Sequence, residues 1–335
     1  MPIWLRVAGY AALVAVIIAL PHFVGSFTIA EFTYAAVFAM ALFGLVILTG
    51  ITGQISLGQG GFMAIGAYTT AILATNHGWP QLLTVPVGGL VAGIAGFLFG
   101  FPALRLAGVY LALATFALAV IIPSVATAFD HFTGGSSGIL LELPTSPIGA
   151  LSVDMWLYYV TWGTAAVLFV AALWFVHGKR GRALRAIMEN ELAATSSGVS
   201  LTHYKTLAFG VSAFYAGIAG SFYGILSFIV TPGLFPITLS ILLLAGLVVG
   251  GARSFLGAIV GAIFVEFIQV YSGDVLGPVI NTAQKLGLPI GDVDKTTPGV
   301  PSVVYGVILL LVLFLMPRGA AGLFSRIAGL TRRVV

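Results

Sequence analysis

Cysteine is absent from this sequence, which excludes disulfides, thiolate metal sites and cysteine nucleophiles. Charge is scarce: 7% of residues are Asp, Glu, Lys or Arg, against roughly a quarter in a soluble domain. A nucleotide-binding P-loop is also missing. There is no GxxxxGK[ST], and the Gly178-Lys179 pair continues into Arg180 without the upstream Gly, so the chain cannot hold ATP in that way. The five histidines, at 22, 77, 131, 177 and 203, show no metal-ligand spacing, and no metal is assigned. Gly134–Gly138 fits GxSxG with His131 nearby, but no strand–turn–helix surrounds it, so the segment reads as a flexible outer loop and not as a nucleophile elbow. The apolar segments hold no paired acids, metal cluster or nucleophile–base pair, which argues against an intramembrane enzyme.

What is present is apolar. The chain is 59% hydrophobic with mean hydropathy +1.11, the composition of a protein solvated by lipid. Ten apolar segments follow one another, at 7–25, 33–50, 60–76, 82–101, 107–128, 154–176, 206–229, 238–250, 254–272 and 300–316. Several approach the ~20 residues that cross a bilayer as a helix. The fold expected is an all-α polytopic membrane bundle of about ten spans (range 8–10), a single domain over 1–335 with both termini cytoplasmic. With that orientation, 12 of the 14 Lys and Arg fall inside, and only Lys285 and Lys295 fall outside. Glu31, Asp130, Glu142, Asp154, Asp274, Asp292 and Asp294 are placed outside. The basic balance is thus a topology signal, not a sign of nucleic-acid binding. The first apolar run is read as a retained span, because no clear Ala-x-Ala type of cleavage site follows Pro21. Segments 129–153 and 273–299 are the longer outer loops, and the Arg-bearing tail after Pro317 reads as facing lipid headgroups on the cytoplasmic side.

Glycine is frequent, at 43 residues, and recurs as GxxxG at Gly89/Gly93, Gly96/Gly100, Gly220/Gly224, Gly246/Gly250 and Gly257/Gly261. These pairs indicate closely packed helices. Thr49–Gly61, TGITGQISLGQGG, is too rich in Gly to continue a helix. It is either an ordinary turn joining two spans or a broken segment beside a translocation path, with Gly53, Gln54, Ser56 and Gln59 lining it. Glu266 is the ionisable residue that falls clearly within a span, which makes it a functional candidate. A structural or gating role is favoured over contact with a substrate ammonium.

The charge that exists is concentrated in Lys179–Lys205, KRGRALRAIMENELAATSSGVSLTHYK. Arg182–Ser196 can form one amphipathic helix, with Leu184, Ile187, Met188 and Leu192 on one stripe and Arg182, Arg185, Glu189 and Ser196 on another. Arg185 and Glu189 form an i,i+4 pair, and Gly198 ends the helix. Three readings stand: a helix lying in the lipid interface, a solvated loop that only fixes topology, or a helix that fits the groove of a soluble partner.

Two long stretches carry a resemblance. Gly181–Gly220, GRALRAIMENELAATSSGVSLTHYKTLAFGVSAFYAGIAG, and Gly44–Leu73, GLVILTGITGQISLGQGGFMAIGAYTTAIL, resemble the permease subunits of branched-chain amino acid ABC importers, and within them the M-type branch. The outer GGSSGI at Gly134–Ile139 is similar too, and the likeness covers roughly residues 30–317. It implies a coupling loop that includes Gly181, Arg182, Arg185, Glu189, Asn190, Glu191, Ala193, Ala194 and Gly198. The wider importer pattern is Glu-Ala-Ala-x-x-x-Gly. Here Leu192 stands at its Glu, with Glu191 one place earlier. The resemblance further implies a bacterial inner-membrane importer of Leu, Ile and Val. Its partners would be a second homologous permease, two ABC ATPase subunits and a periplasmic binding protein. This chain would bind no cofactor and catalyse no reaction itself, and ATP would be used by the partners. Within the family, urea, short amides or aromatic acids are the alternative substrates. A secondary transporter or channel is the more distant alternative.

Overall fold

The structure is a computed structural model; it describes residues 17–103, 106, 108–142, 144, 146, 151–285 and 306. Helix α1 (Ser26–Leu45) continues through a π-helical turn at Val46–Ile51, and α2 (Gln59–His77), α3 (Gln81–Ala103) and α4 (Val109–Ala128) follow. A single turn, α5 (Asp130–Thr133), leads to strand β1 (Ile139–Leu140) and then α6 (Val153–His177). The charged loop holds α7 (Lys179–Glu189) and α8 (Glu191–Ser196). Beyond it come α9 (Leu201–Ser227), strand β2 (Ile229–Val230), α10 (Ile237–Gly250) and α11 (Phe255–Lys285).

Among the described residues, eight of the ten apolar segments carry a long helix. Among the described residues, six stretches are long and apolar enough to cross a membrane: Ser26–Ile51, Gln81–Ala103, Val109–Ala128, Val153–His177, Leu201–Ser227 and Pro232–Gly250. Most of segment 7–25 and nearly all of 300–316 lie outside the described residues, as do Arg105 and the C-terminal tail. Two outer segments differ from expectation. The outer loop expected to begin at 273 is still helix, since α11 runs on to Lys285. The GGSSGI segment is not a loose loop. Gly134 N–H donates to Asp130 O at 2.8 Å and Gly138 N–H to Gly134 O at 3.1 Å. The chain then pairs antiparallel with β2, Ile139 opposite Val230.

Helix α1 is the centre of the bundle. It is apolar on every side, and Ala35–Leu48 are all buried; a helix without a polar face belongs inside. Helices α6, α9 and α11 surround it, and α9 packs most extensively on α3. That contact is antiparallel and made by glycine. A Cβ at Gly89 would lie 2.6 Å from Ile218, at Gly96 2.3 Å from Ala213, and at Gly100 2.9 Å from Thr206. Bare backbone is what lets these helices approach. Helices α3 and α4 turn apolar residues outward, among them Leu90, Ile94, Leu98, Leu113, Val120 and Ile121, as a lipid-solvated surface requires.

Candidate functional site: the charged loop and the broken segment beneath it

The loop begins with a tight corner. A Cβ on Gly181 would sit 1.9 Å from Val176 O, so only Gly lets α7 fold back against the end of α6. Leu184 and Ile187 then point into the protein and are buried, while Arg182, Arg185 and Glu189 are exposed. The single helix expected over Arg182–Ser196 is instead two. Asn190 adopts φ −161°, ψ 111°, and its Oδ1 accepts from Ala193 N–H at 3.0 Å. It caps α8, whose first turn carries Glu191, a favourable place for an anion.

This break removes Leu192 from the apolar stripe. Leu192 is 82% exposed, whereas Leu184 and Ile187 are at most 2% exposed. Ala194 is buried and Ala193 exposed. The expected Arg185–Glu189 pair is not formed; among the described residues the ion pair is Glu191–Lys205, at 2.7 Å, which ties α8 to the start of α9. Gly198 ends α8 as expected. It has φ +82°, its N–H donates to Thr195 O at 2.9 Å, and Val199 N–H donates to Ala194 O at 3.0 Å. This is a Schellman turn, whose left-handed position suits glycine best because it has no Cβ.

Beneath the loop lies the segment Thr52–Gly58, which is not helical. Its polar side chains turn inward and bond to their own chain. Gln54 Nε2 donates to Thr52 Oγ1 at 3.0 Å. Ser56 Oγ accepts from Gly58 N–H at 3.3 Å. Gln59 Nε2 donates to Ala41 O of α1 at 2.8 Å, and its Oε1 accepts from Ser212 Oγ of α9 at 3.4 Å. The backbone is satisfied by residues far along the chain: Leu57 N–H by Thr115 Oγ1 at 2.9 Å and Gly60 N–H by Ser240 Oγ at 2.9 Å. Irregular backbone at this depth persists because protein satisfies it. Gln54 and Ser56 thus brace the segment locally, while Gln59 and the N–H groups of Leu57 and Gly60 tie it to α1, α9, α4 and α10; Gly53 faces outward at φ +72°.

Loop and broken segment meet at Met188. A Cβ on Gly53 would lie 3.4 Å from Met188 Cγ, and Arg253 Nη2 lies 3.7 Å from Met188 Sδ. Gly50 abuts the same turn between α10 and α11, where a Cβ would meet Ala252 O at 1.8 Å. One side chain of the loop therefore lies between the broken segment at Gly53 and the α10–α11 corner.

Glu266 is buried in α11, well away from the loop. It has a companion not expected there. Glu31 was placed in an outer loop, but it lies in the second turn of α1 at 3% exposure. Glu31 Oε2 accepts from Tyr271 Oη of α11 at 3.4 Å, and Phe32 meets Phe267 edge-on at 5.4 Å. The α1–α11 seam thus carries two carboxylates. Thr115, Ser212 and Ser240 carry no signal in the sequence, and each becomes visible only through its partner; Met188 is on the expected apolar stripe, but its contacts are not legible there.

These features define an all-α, multi-pass membrane protein with one structured, charged loop docked on its helical core. The family model described as branched-chain amino acid transport system / permease component matches residues 27–313, and the chain belongs to that family. It is 33% identical to the high-affinity branched-chain amino acid transport system permease protein LivM of Escherichia coli, over 75% of this chain and 65% of that protein. The LivM of Salmonella typhimurium is 32% identical over the same shares. A probable branched-chain amino acid transport permease protein LivH of Methanocaldococcus jannaschii is 26% identical, over 68% of this chain and 74% of that protein. The chain thus spans 65% of the length of the LivM proteins it matches. No solved structure matches it.

Proposed function

We propose that this chain is the membrane-spanning permease subunit of an ATP-driven importer of branched-chain amino acids in a bacterial inner membrane. In this reading about ten spans (range 8–10) cross the membrane, with both termini in the cytoplasm. A second homologous permease completes the translocation path, two ATPase subunits dock on the charged loop, and an extracytoplasmic binding protein delivers substrate. The chain itself hydrolyses nothing.

The observation that carries this reading is the construction of the loop. Its apolar stripe is already consumed by the protein, since Leu184 and Ile187 are buried, so it has little left with which to lie in lipid. Its outer surface, with Arg182, Leu192 and Ala193, is held in shape by an N-cap, an ion pair and a Schellman turn. A loop that only fixed topology would need none of these. A shaped surface linked through Met188 to the broken segment suits a partner that pushes. The buried Glu31 and Glu266 fit a structural role in the α1–α11 seam. Family membership and the names of the similar proteins support leucine, isoleucine and valine as substrates.

The test is uptake of labelled leucine by cells lacking this chain, with and without its restoration, in the presence of excess isoleucine, valine, urea or benzoate. Loss on deletion, recovery on restoration and competition by the aliphatic amino acids alone are expected. Unchanged leucine uptake with a deficit in another solute would discard the substrate.

A further inference from the structure

Beside the loop lies a cleft of about 420 Å³ between the end of α6, α7, the π-helical turn and the α10–α11 corner. Its two parts differ in chemistry. The floor is apolar, formed by Phe169, Leu173 and Phe255, with Phe169 and Phe255 edge-on at 6.3 Å. The rim carries Arg185 and Arg253, both exposed, with His177 beside them and Glu189 as its acid. Neither guanidinium has an ion-pair partner among the described residues; Arg253 reaches only the Met188 sulfur. The cleft also sits at a defined depth. Trp174, 75% exposed, stands one turn before His177, and Lys179 and Arg180 follow at once. An exposed Trp followed by basic residues marks the headgroup level of a bilayer.

We propose that this cleft is a binding site for an anionic phospholipid. The phosphate would lie between Arg185 and Arg253, and the first methylenes of an acyl chain would cover Leu173 and Phe255. Charge complementarity selects an anion, and the apolar floor selects one that carries a hydrocarbon tail, a combination met by lipids between helices at the inner face. A free anion would leave the floor exposed, and a zwitterionic lipid would bring its own cation to a rim where two guanidiniums face one acid, Glu189. The lipid would join α7 to the α10–α11 corner along the path that Met188 bridges. The proposal rests on the reading that the loop faces the cytoplasmic leaflet, but not on which solute is carried.

The experiment is native mass spectrometry of the full chain, purified with whatever subunits accompany it and titrated with phosphatidylglycerol or phosphatidylcholine of the same acyl chains. The wild type should retain phosphatidylglycerol preferentially. Each basic residue near an anionic headgroup is worth a factor of about five, so Arg185→Gln/Arg253→Gln should reduce that preference roughly 10- to 30-fold. Arg180→Gln, which lies outside the cleft, should leave it unchanged. Leu173→Trp, which fills the floor, should weaken retention with both arginines in place. Equal retention by the wild type and the double variant would overturn the proposal. So would displacement of the lipid by millimolar inorganic phosphate, which would mark a bare anion site. Because the readout is lipid retention, a failure here is separate from any failure to transport leucine.

Discussion

The crossing of α10 and α11 sets a sharp steric limit. These helices run antiparallel with glycine opposite glycine. A Cβ on Gly257 would sit 2.1 Å from Gly250 O, and one on Gly250 would sit 2.0 Å from Gly257 O. Ordinary contact begins at 3.4 Å, so Gly257→Ala intrudes by more than 1 Å. The obstacle is backbone and cannot rotate aside. The helices must part, and overpacking of this kind costs about 1–3 kcal/mol. Against that, Ala gains about 1 kcal/mol over Gly as a helix former. The net expectation for Gly257→Ala is a loss of up to about 2 kcal/mol, a drop of as much as several degrees in unfolding temperature. Gly163, in the middle of α6, is the control: a Cβ there meets nothing within 4 Å. Gly163→Ala should be neutral or slightly stabilising. Both are read as the temperature at which the purified chain loses its monodisperse size-exclusion peak. A Gly257→Ala protein as stable as the Gly163→Ala protein would refute the close crossing.

Three further predictions follow from the loop and the broken segment. Gly198→Pro forces φ to about −65° where the turn needs +82° and deletes the donor to Thr195 O; leucine uptake should fall to background at equal membrane level, while Gly198→Asn, which tolerates the left-handed region, should retain most of it. The Glu191–Lys205 pair is half-exposed on its acidic side, so a double-mutant cycle with Glu191→Gln and Lys205→Met should give a thermal coupling of about 0.2–1 kcal/mol that shrinks with salt; coupling that grows with salt would contradict the pairing. Gln59→Leu removes buried hydrogen bonds to α1 and α9 and should cost about 1–3 kcal/mol, seen as a lower unfolding temperature; an unchanged value would mean the amide does not bridge the helices.

Much of this was legible in the sequence because it depends on local chemistry. Apolar runs located eight of the helices, the GxxxG pairs lie at close crossings, and Gly198 ends its helix for the conformational reason expected of it. The missed features depend on competition or distance. The run Leu184, Ile187, Met188, Leu192 favoured one continuous helix, but Asn190 followed by Glu191 is an N-cap signal, and the cap prevailed over the periodicity. Glu31 lies two residues before the apolar run 33–50, which reads as a loop position; its hydrogen-bond partner, Tyr271, is 240 residues away. The polar character of Gln54, Ser56 and Gln59 was visible, but their partners were not. Ser212 and Ser240, which satisfy Gln59 and Gly60, lie 153 and 180 residues from those positions.

The central claim is that this chain moves branched-chain amino acids on energy supplied from outside itself. The most direct test is leucine uptake into vesicles containing the chain with its co-purifying subunits and the matching binding protein, with ATP or a non-hydrolysable analogue on the loop side. The account predicts accumulation with ATP and none with the analogue. Leucine entry at the same rate in both, with the chain alone sufficient, would make it a channel or a secondary transporter and contradict the account.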